Sequence, residues 1–124
     1  MKVVLIVDDN EAVAASLAIA FERLGNVEPV VKYDPTAALQ MFSGDGEQRI
    51  AAIVTDFNLP RLNGLELIQQ VRSIERYRTL PAIMITAEDN VSNTDGSMLN
   101  APNAVFRKPF SMREVCRVLE QLLT

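Results

Sequence analysis

A doubly wound parallel α/β sheet is the fold this chain predicts, on three observations. Apolar strand-like runs alternate with stretches of helical periodicity from end to end. The runs are continuous and rich in β-branched residues, as in strands buried on both faces. No β-hairpin signal separates any two of them, so right-handed crossovers must connect them.

Residues 3–7 (VVLIV) form the first expected strand. Val13, Leu17, Phe21 and Leu24 then recur at helical spacing, and Gly25 closes that helix. Residues 28–33 read as a shorter strand, and Pro29 near its start places it at a sheet edge. Asp34 and Pro35 supply an N-cap and a first-turn proline for a helix to about Phe42, followed by the polar loop 43–48. Residues 51–55 make the third strand. Asn63-Gly64-Leu65-Glu66 opens a third helix with Leu65, Ile68, Val71 and Ile74 on its inner face. Leu80-Pro81 leads into the fourth strand, 82–85, and residues 104–106 are the short fifth. Ser111-Met112-Arg113-Glu114 is a capping box for the last helix, in which Val118 lies off the main apolar face as a faint contact-surface signal. The alternation also demands a helix between the fourth and fifth strands. There residues 92–97 (SNTDGS) are six poor helix formers in succession, so a short or frayed element is expected.

Composition narrows the function. The 124 residues are read as one domain, 1–124, with 48% apolar and 23% charged residues, ordinary values for a globular chain. A net charge of −4 without a Lys/Arg run argues against direct nucleic-acid binding. The lone Cys116, at core spacing with Met112 and Leu119, excludes an internal disulfide and reads as an inert buried thiol. No stretch is long enough to span a bilayer, so no membrane contact and a cytoplasmic location are expected. The chain has no histidine, which removes histidine-based nucleophilic or metal chemistry.

The strand ends carry the chemistry. In a parallel α/β sheet all carboxyl ends share one edge, and ligands bind outside it. The first strand runs into Asp8-Asp9, the third into Asp56 and the fourth into Thr86. The fifth is followed by Arg107, Lys108 and Pro109. Two carboxylates about 5 Å apart repel by about 3 kcal/mol at an effective dielectric near 20. A hard divalent cation relieves this, and Mg²⁺ suits a site of few carboxylates, one carbonyl and several waters. Asp56 is placed to act as a nucleophile toward phosphorus. Lys108 can neutralise a transferring phosphoryl group, Thr86 can donate its hydroxyl to it, and the small Ala87 leaves room beside it. Read singly, Asp8-Asp9 is a helix-capping turn, Asp56 a strand cap and Lys108 a solvated lysine. Pro109 offers a cis bond that would fix the direction of Lys108.

The chain resembles the receiver domain of bacterial two-component response regulators, with single-domain chemotaxis-type regulators nearest. The matching pieces are VDDN (7–10), TDFNLPRLNG (55–64), ITAE (85–88) and KPF (108–110), in order and at family spacing. The resemblance implies a flavodoxin-like sheet of order 2-1-3-4-5. It implies Asp56 as phosphoacceptor, Asp9 as direct metal ligand, Asp8 as a ligand mainly through water, and the Asn58 backbone carbonyl completing the shell of Mg²⁺ or Mn²⁺. Thr86 and Lys108 would grip the phosphoryl group, while Asn58 and Glu88 flank the entrance for attacking water. The donor would be a phosphohistidine on a sensor histidine kinase or phosphotransfer protein. The domain would catalyse its own phosphorylation and slow dephosphorylation without being a turnover enzyme.

Two departures touch the output rather than the chemistry. The family's switch aromatic falls on Val105, with Phe106 one residue later and facing the opposite side unless a bulge re-aims it. The small residues that usually precede the fifth strand are Asn100-Ala101-Pro102 here. Three other readings compete. A haloacid-dehalogenase-type phosphatase needs a second aspartate two positions after the nucleophile, where this chain has Asn10 or Asn58. A flavin binder of the same architecture needs a first loop free of acids, whereas this loop carries Asp8, Asp9 and Glu11. A docking module that works without phosphorylation would keep the fold but not need the acidic set.

Overall fold

The structure, a computed structural model, describes residues 1–43, 49–87 and 101–124. Strands β1 (Lys2–Val7), β2 (Val27–Lys32), β3 (Ile50–Asp56), β4 (Ala82–Thr86) and β5 (Ala104–Arg107) form one parallel sheet of order β2-β1-β3-β4-β5. Helices α1 (Glu11–Glu22) and α4 (Met112–Leu123) cover one face, and α2 (Pro35–Gln40) and α3 (Gly64–Arg72) the other. The expected doubly wound order is therefore observed, with Pro29 in the edge strand. The helix expected between the fourth and fifth strands, with residues 92–97, Glu88 and Asn100, lies outside the described residues.

Strand alternation divides the core into two clusters. Val3, Leu5 and Val7 pack with Ile53 and Met84 beneath α2 and α3. Val4 and Ile6 pack with Val54, Ile83 and Ile85 beneath α1 and α4. Each run thus buries both of its faces, which is why it reads as a continuous apolar stretch.

Helix starts are fixed locally. The side chains of Asn10, Asp34, Asn63 and Ser111 each accept the backbone N–H three residues on. The complete reciprocal box is at Asn63–Glu66. At Ser111 only the forward bond forms, because Glu114 instead accepts from Arg117 at 2.9 Å. Gly25, with φ of +86°, takes the left-handed turn after α1.

The inward stripe of α3 is Gly64, Leu67, Ile68 and Val71 rather than the expected Leu65, Ile68, Val71 and Ile74. Leu65 is only half-buried, and Ile74 lies beyond the helix end. Gly64 is pressed against the end of β3, and the spacing of three, four and seven residues follows from that anchor. Val118 is half-buried against the core and not a free surface residue. Cys116 is half-buried rather than buried, and desolvation followed by Glu120 pushes its thiol up, away from the thiolate form.

Arg72, in the last turn of α3, is buried without a carboxylate partner among the described residues. Its guanidinium donates twice to the Leu80 carbonyl (3.1 and 2.8 Å), to the Ala101 carbonyl (2.7 Å) and to Asn103 Oδ1 (2.9 Å). Asn103 in turn holds the Ala82 N–H. Arg72 therefore pins the approach to β5 onto the start of β4. Arg72→Met, which keeps the stem but not the donors, should destabilise by about 2 kcal/mol in urea unfolding. An unchanged midpoint would contradict this role.

Candidate functional site: an acidic cluster at the carboxyl edge

Two strand ends, those of β1 and β3, bring the acids together. Asp8 follows β1, with its N–H donating to the Lys32 carbonyl of β2 at 3.2 Å. Asp8 Oδ1 accepts the Asn10 N–H at 2.9 Å, while Oδ2 is buried with no hydrogen-bond partner. Asp9 is exposed beside it. Asp56 closes β3 at 5% exposure, and its Oδ1 is the second buried oxygen without a hydrogen bond. One carboxylate oxygen from each of Asp8, Asp9 and Asp56 lies within 4.8 Å of the others.

Lys108 reaches the cluster from the turn after β5. Its Nζ stands 3.4 Å from Asp56 Oδ1, within ion-pair range but not in hydrogen-bond geometry. The Lys108 N–H donates to the Thr86 carbonyl at 2.8 Å, and the Lys108–Pro109 bond is cis. Thr86 is fully buried at the end of β4, and Ala87 beside it is exposed. Asn58 lies on the exposed loop two residues beyond Asp56.

Electrostatics make this an uncomfortable cluster. Burial pushes the Asp8 carboxyl up, opposed by the Asn10 N–H and Lys108 and reinforced by Asp9. Burial pushes Asp56 up as well, the Asp8 charge adds to it, and Lys108 opposes. One ammonium at ion-pair distance does not offset three carboxylates.

The loop after Asp56 is built for close approach. Phe57 N–H donates to the Ile85 carbonyl and Gly64 N–H to the Phe57 carbonyl, both at 2.8 Å. Leu62 N–H donates to the Pro60 carbonyl at 2.8 Å, a γ-turn centred on Arg61 with φ of +70°. A Cβ on Gly64 would collide with the Asp56 carbonyl oxygen and sit 3.0 Å from Phe57 Cα.

The response regulator receiver domain profile matches residues 4–120. The chain belongs to the response regulator receiver family. Receivers in two-component systems are signalling domains of the chemotaxis-regulator type, not turnover enzymes. The chain is 28% identical to the chemotaxis protein CheY1 of Helicobacter pylori, over 96% of this chain and 94% of that one. It is 35% identical to the response regulator MprA of Mycobacterium avium over 97% of its length, which spans half of that protein. Among solved structures, the receiver domain of the Francisella response regulator 1452 superposes with a TM-score of 0.83 at 25% identity, covering 99% and 97% of the two chains.

The receiver's sequence-predicted acids, Asp8, Asp9 and Asp56, do converge, Lys108 reaches Asp56, and Thr86 at the end of β4 holds the Lys108 N–H through its carbonyl. Gly64 and Arg61 carried no such signal. Gly64 reads simply as a helix start, and no local feature marks Arg61 as left-handed. At β5, Val105 packs toward α3 and Phe106 toward α4, and the β4–β5 register runs without a shift. No bulge re-aims Phe106. No helix among the described residues is long and apolar enough to cross a membrane.

Proposed function

We propose that this receiver accepts a phosphoryl group on Asp56 from a partner's phosphohistidine, in a reaction that requires Mg²⁺ or Mn²⁺. The observation that carries this is the pair of buried carboxylate oxygens, Asp8 Oδ2 and Asp56 Oδ1, left without hydrogen bonds in a cluster of three acids. Buried polar atoms are nearly always satisfied, and carboxylate oxygens without hydrogen bonds at oxygen-only spacing, only one of them ion-paired with Lys108, suit a hard cation. Asp8, Asp9 and Asp56, with the Asn58 carbonyl, would hold the ion. Its charge would offset that of the carboxylates and the incoming phosphoryl oxygens.

The protein's own groups account for the rest. A carboxylate oxygen of Asp56 forms the new P–O bond as the P–N bond of the donor's phosphohistidine breaks, and the departing imidazole keeps the electron pair and takes up a proton. Lys108, already beside Asp56, follows the charge onto the phosphoryl oxygens, and Thr86 closes the other side. The absence of histidine in the chain fits a donor on another polypeptide. With Val105 at the position of the family's switch aromatic, the output travels by another route than rotation of an aromatic ring there.

Metal titration by calorimetry tests the ion's place. Asp9→Ala should weaken Mg²⁺ binding at least tenfold with little change in folding, since Asp9 is exposed. Unchanged affinity would remove Asp9 from the ligand shell. Incubation with acetyl phosphate tests the transfer. Uptake of one phosphoryl group that depends on the divalent ion supports the reading, and uptake indifferent to the ion would overturn it.

A further inference from the structure

At the amino edge of the sheet, opposite Asp56, lies a second concavity of about 320 Å³. Lys2 of β1, Arg49 and Ile50 at the start of β3, and Arg76 and Tyr77 before β4 line it. Its size falls at the lower end of small-molecule sites. Among the described residues no Asp or Glu lines it, although the chain as a whole is acidic.

Two of the cations stand beside one ring. The Arg49 guanidinium stands 5.7 Å and that of Arg76 5.1 Å from the Tyr77 ring centre, and Arg49 donates to the Arg76 carbonyl at 2.7 Å. Neither guanidinium has a carboxylate partner among the described residues, because the adjacent Glu75 pairs with Arg78. A cleft bordered by cations, with no carboxylate among the described residues to offset them, favours an anion. Each guanidinium carries five N–H donors, most of them uncommitted here.

Tyr77 supplies an independent pointer. Its side chain is 2% exposed, and its hydroxyl oxygen accepts both the Ile50 N–H (3.3 Å) and an Arg76 N–H (3.2 Å). The phenolic proton itself has no acceptor among the described residues. With its oxygen already used, this hydroxyl is left as a donor for an acceptor entering the cleft that Tyr77 lines.

We propose that this cleft binds a small soluble anion carrying two or more phosphate groups. Arg49 and Arg76 would engage the phosphate oxygens as forks, Tyr77 would donate its free proton, and Lys2, whose ammonium donates to the Leu123 carbonyl, would add its charge at the rim. The cleft lies on the sheet edge away from the acidic cluster, so binding there and phosphorylation at Asp56 are separable.

Calorimetric titration with inorganic pyrophosphate, at fixed ionic strength in metal-free buffer, tests this. The expected result is saturable one-to-one binding, retained in Asp56→Asn and weakened at least tenfold in the double variant Arg49→Gln/Arg76→Gln. Both arginines are exposed, so the double variant should stay folded without ligand, which a cooperative thermal melt checks. No saturable binding, equal affinity in the double variant, or loss of binding in Asp56→Asn would each overturn the assignment. Anionic phosphatidylglycerol vesicles form the second arm. Vesicle retention without pyrophosphate binding would place the phosphates on a lipid surface and refute a soluble ligand.

Discussion

Gly64→Ala is expected to destabilise the protein by about 3 kcal/mol, at the upper end of what an added methyl group costs in a packed interior. The new Cβ would collide with the Asp56 carbonyl oxygen and crowd Phe57 Cα, and both are backbone atoms. A flexible side chain could swing aside; a strand end bonded to β4 through Phe57 N–H cannot. Relief therefore requires α3 to lift from the sheet, which loosens the Leu67, Ile68 and Val71 contacts. It also displaces the residue that bears the Asp56 carboxylate, so Mg²⁺ affinity should fall with stability. Urea unfolding measures the first effect and metal titration the second. A loss under about 1 kcal/mol, well below that range, would show that the strand end can yield.

Asp56→Asn should abolish phosphoryl uptake and, without divalent ions, raise stability at neutral pH. The sign follows from the raised carboxyl. Burial, then Asp8, push the folded-state pKa of Asp56 above its unfolded value, so the folded protein holds this proton more tightly than the unfolded chain. The stabilisation this gives is present in acid, below the unfolded value of about 3.9. It is lost as pH rises through the raised folded value, and Asp8 contributes in the same direction. Asparagine removes the Asp56 share and one buried charge that Lys108 only partly offsets, a gain of about 1–3 kcal/mol at pH 7. Saturating Mg²⁺ should narrow or reverse the difference by stabilising the folded wild type. Thermal melts from pH 4 to 8 would reveal it. A variant less stable than wild type across that range, in metal-free buffer, would contradict the electrostatic account.

Much of this was legible because strand ends in a parallel sheet share an edge. Asp8, Asp9, Asp56, Thr86 and Lys108 are scattered through the chain, yet each ends or follows a recognisable apolar run, and topology brings them together. The features that stayed hidden depend on packing between elements. Arg72 looks like an ordinary helix-end cation, and only the approach of Leu80, Ala101 and Asn103 makes it a buried clasp. Gly64 reads as a helix start until the Asp56 carbonyl is seen against it. The basic cleft was invisible for the same reason: Lys2, Arg49 and Arg76 form no run, and the net charge of −4 points the other way. The complete capping box was expected at Ser111 and found at Asn63. The local pattern permits both, and Arg117 decides against the first by taking Glu114.

The position of the phosphoryl group tests the central claim most directly. Wild-type protein treated with acetyl phosphate and Mg²⁺, reduced with borohydride and digested, converts an aspartyl phosphate to homoserine that peptide mass spectrometry locates. Homoserine at residue 56 alone, and none when Mg²⁺ is omitted, is the predicted result. Homoserine at Asp8, Asp9 or another carboxylate, or none anywhere with the ion bound, would contradict Asp56 as the phosphoacceptor.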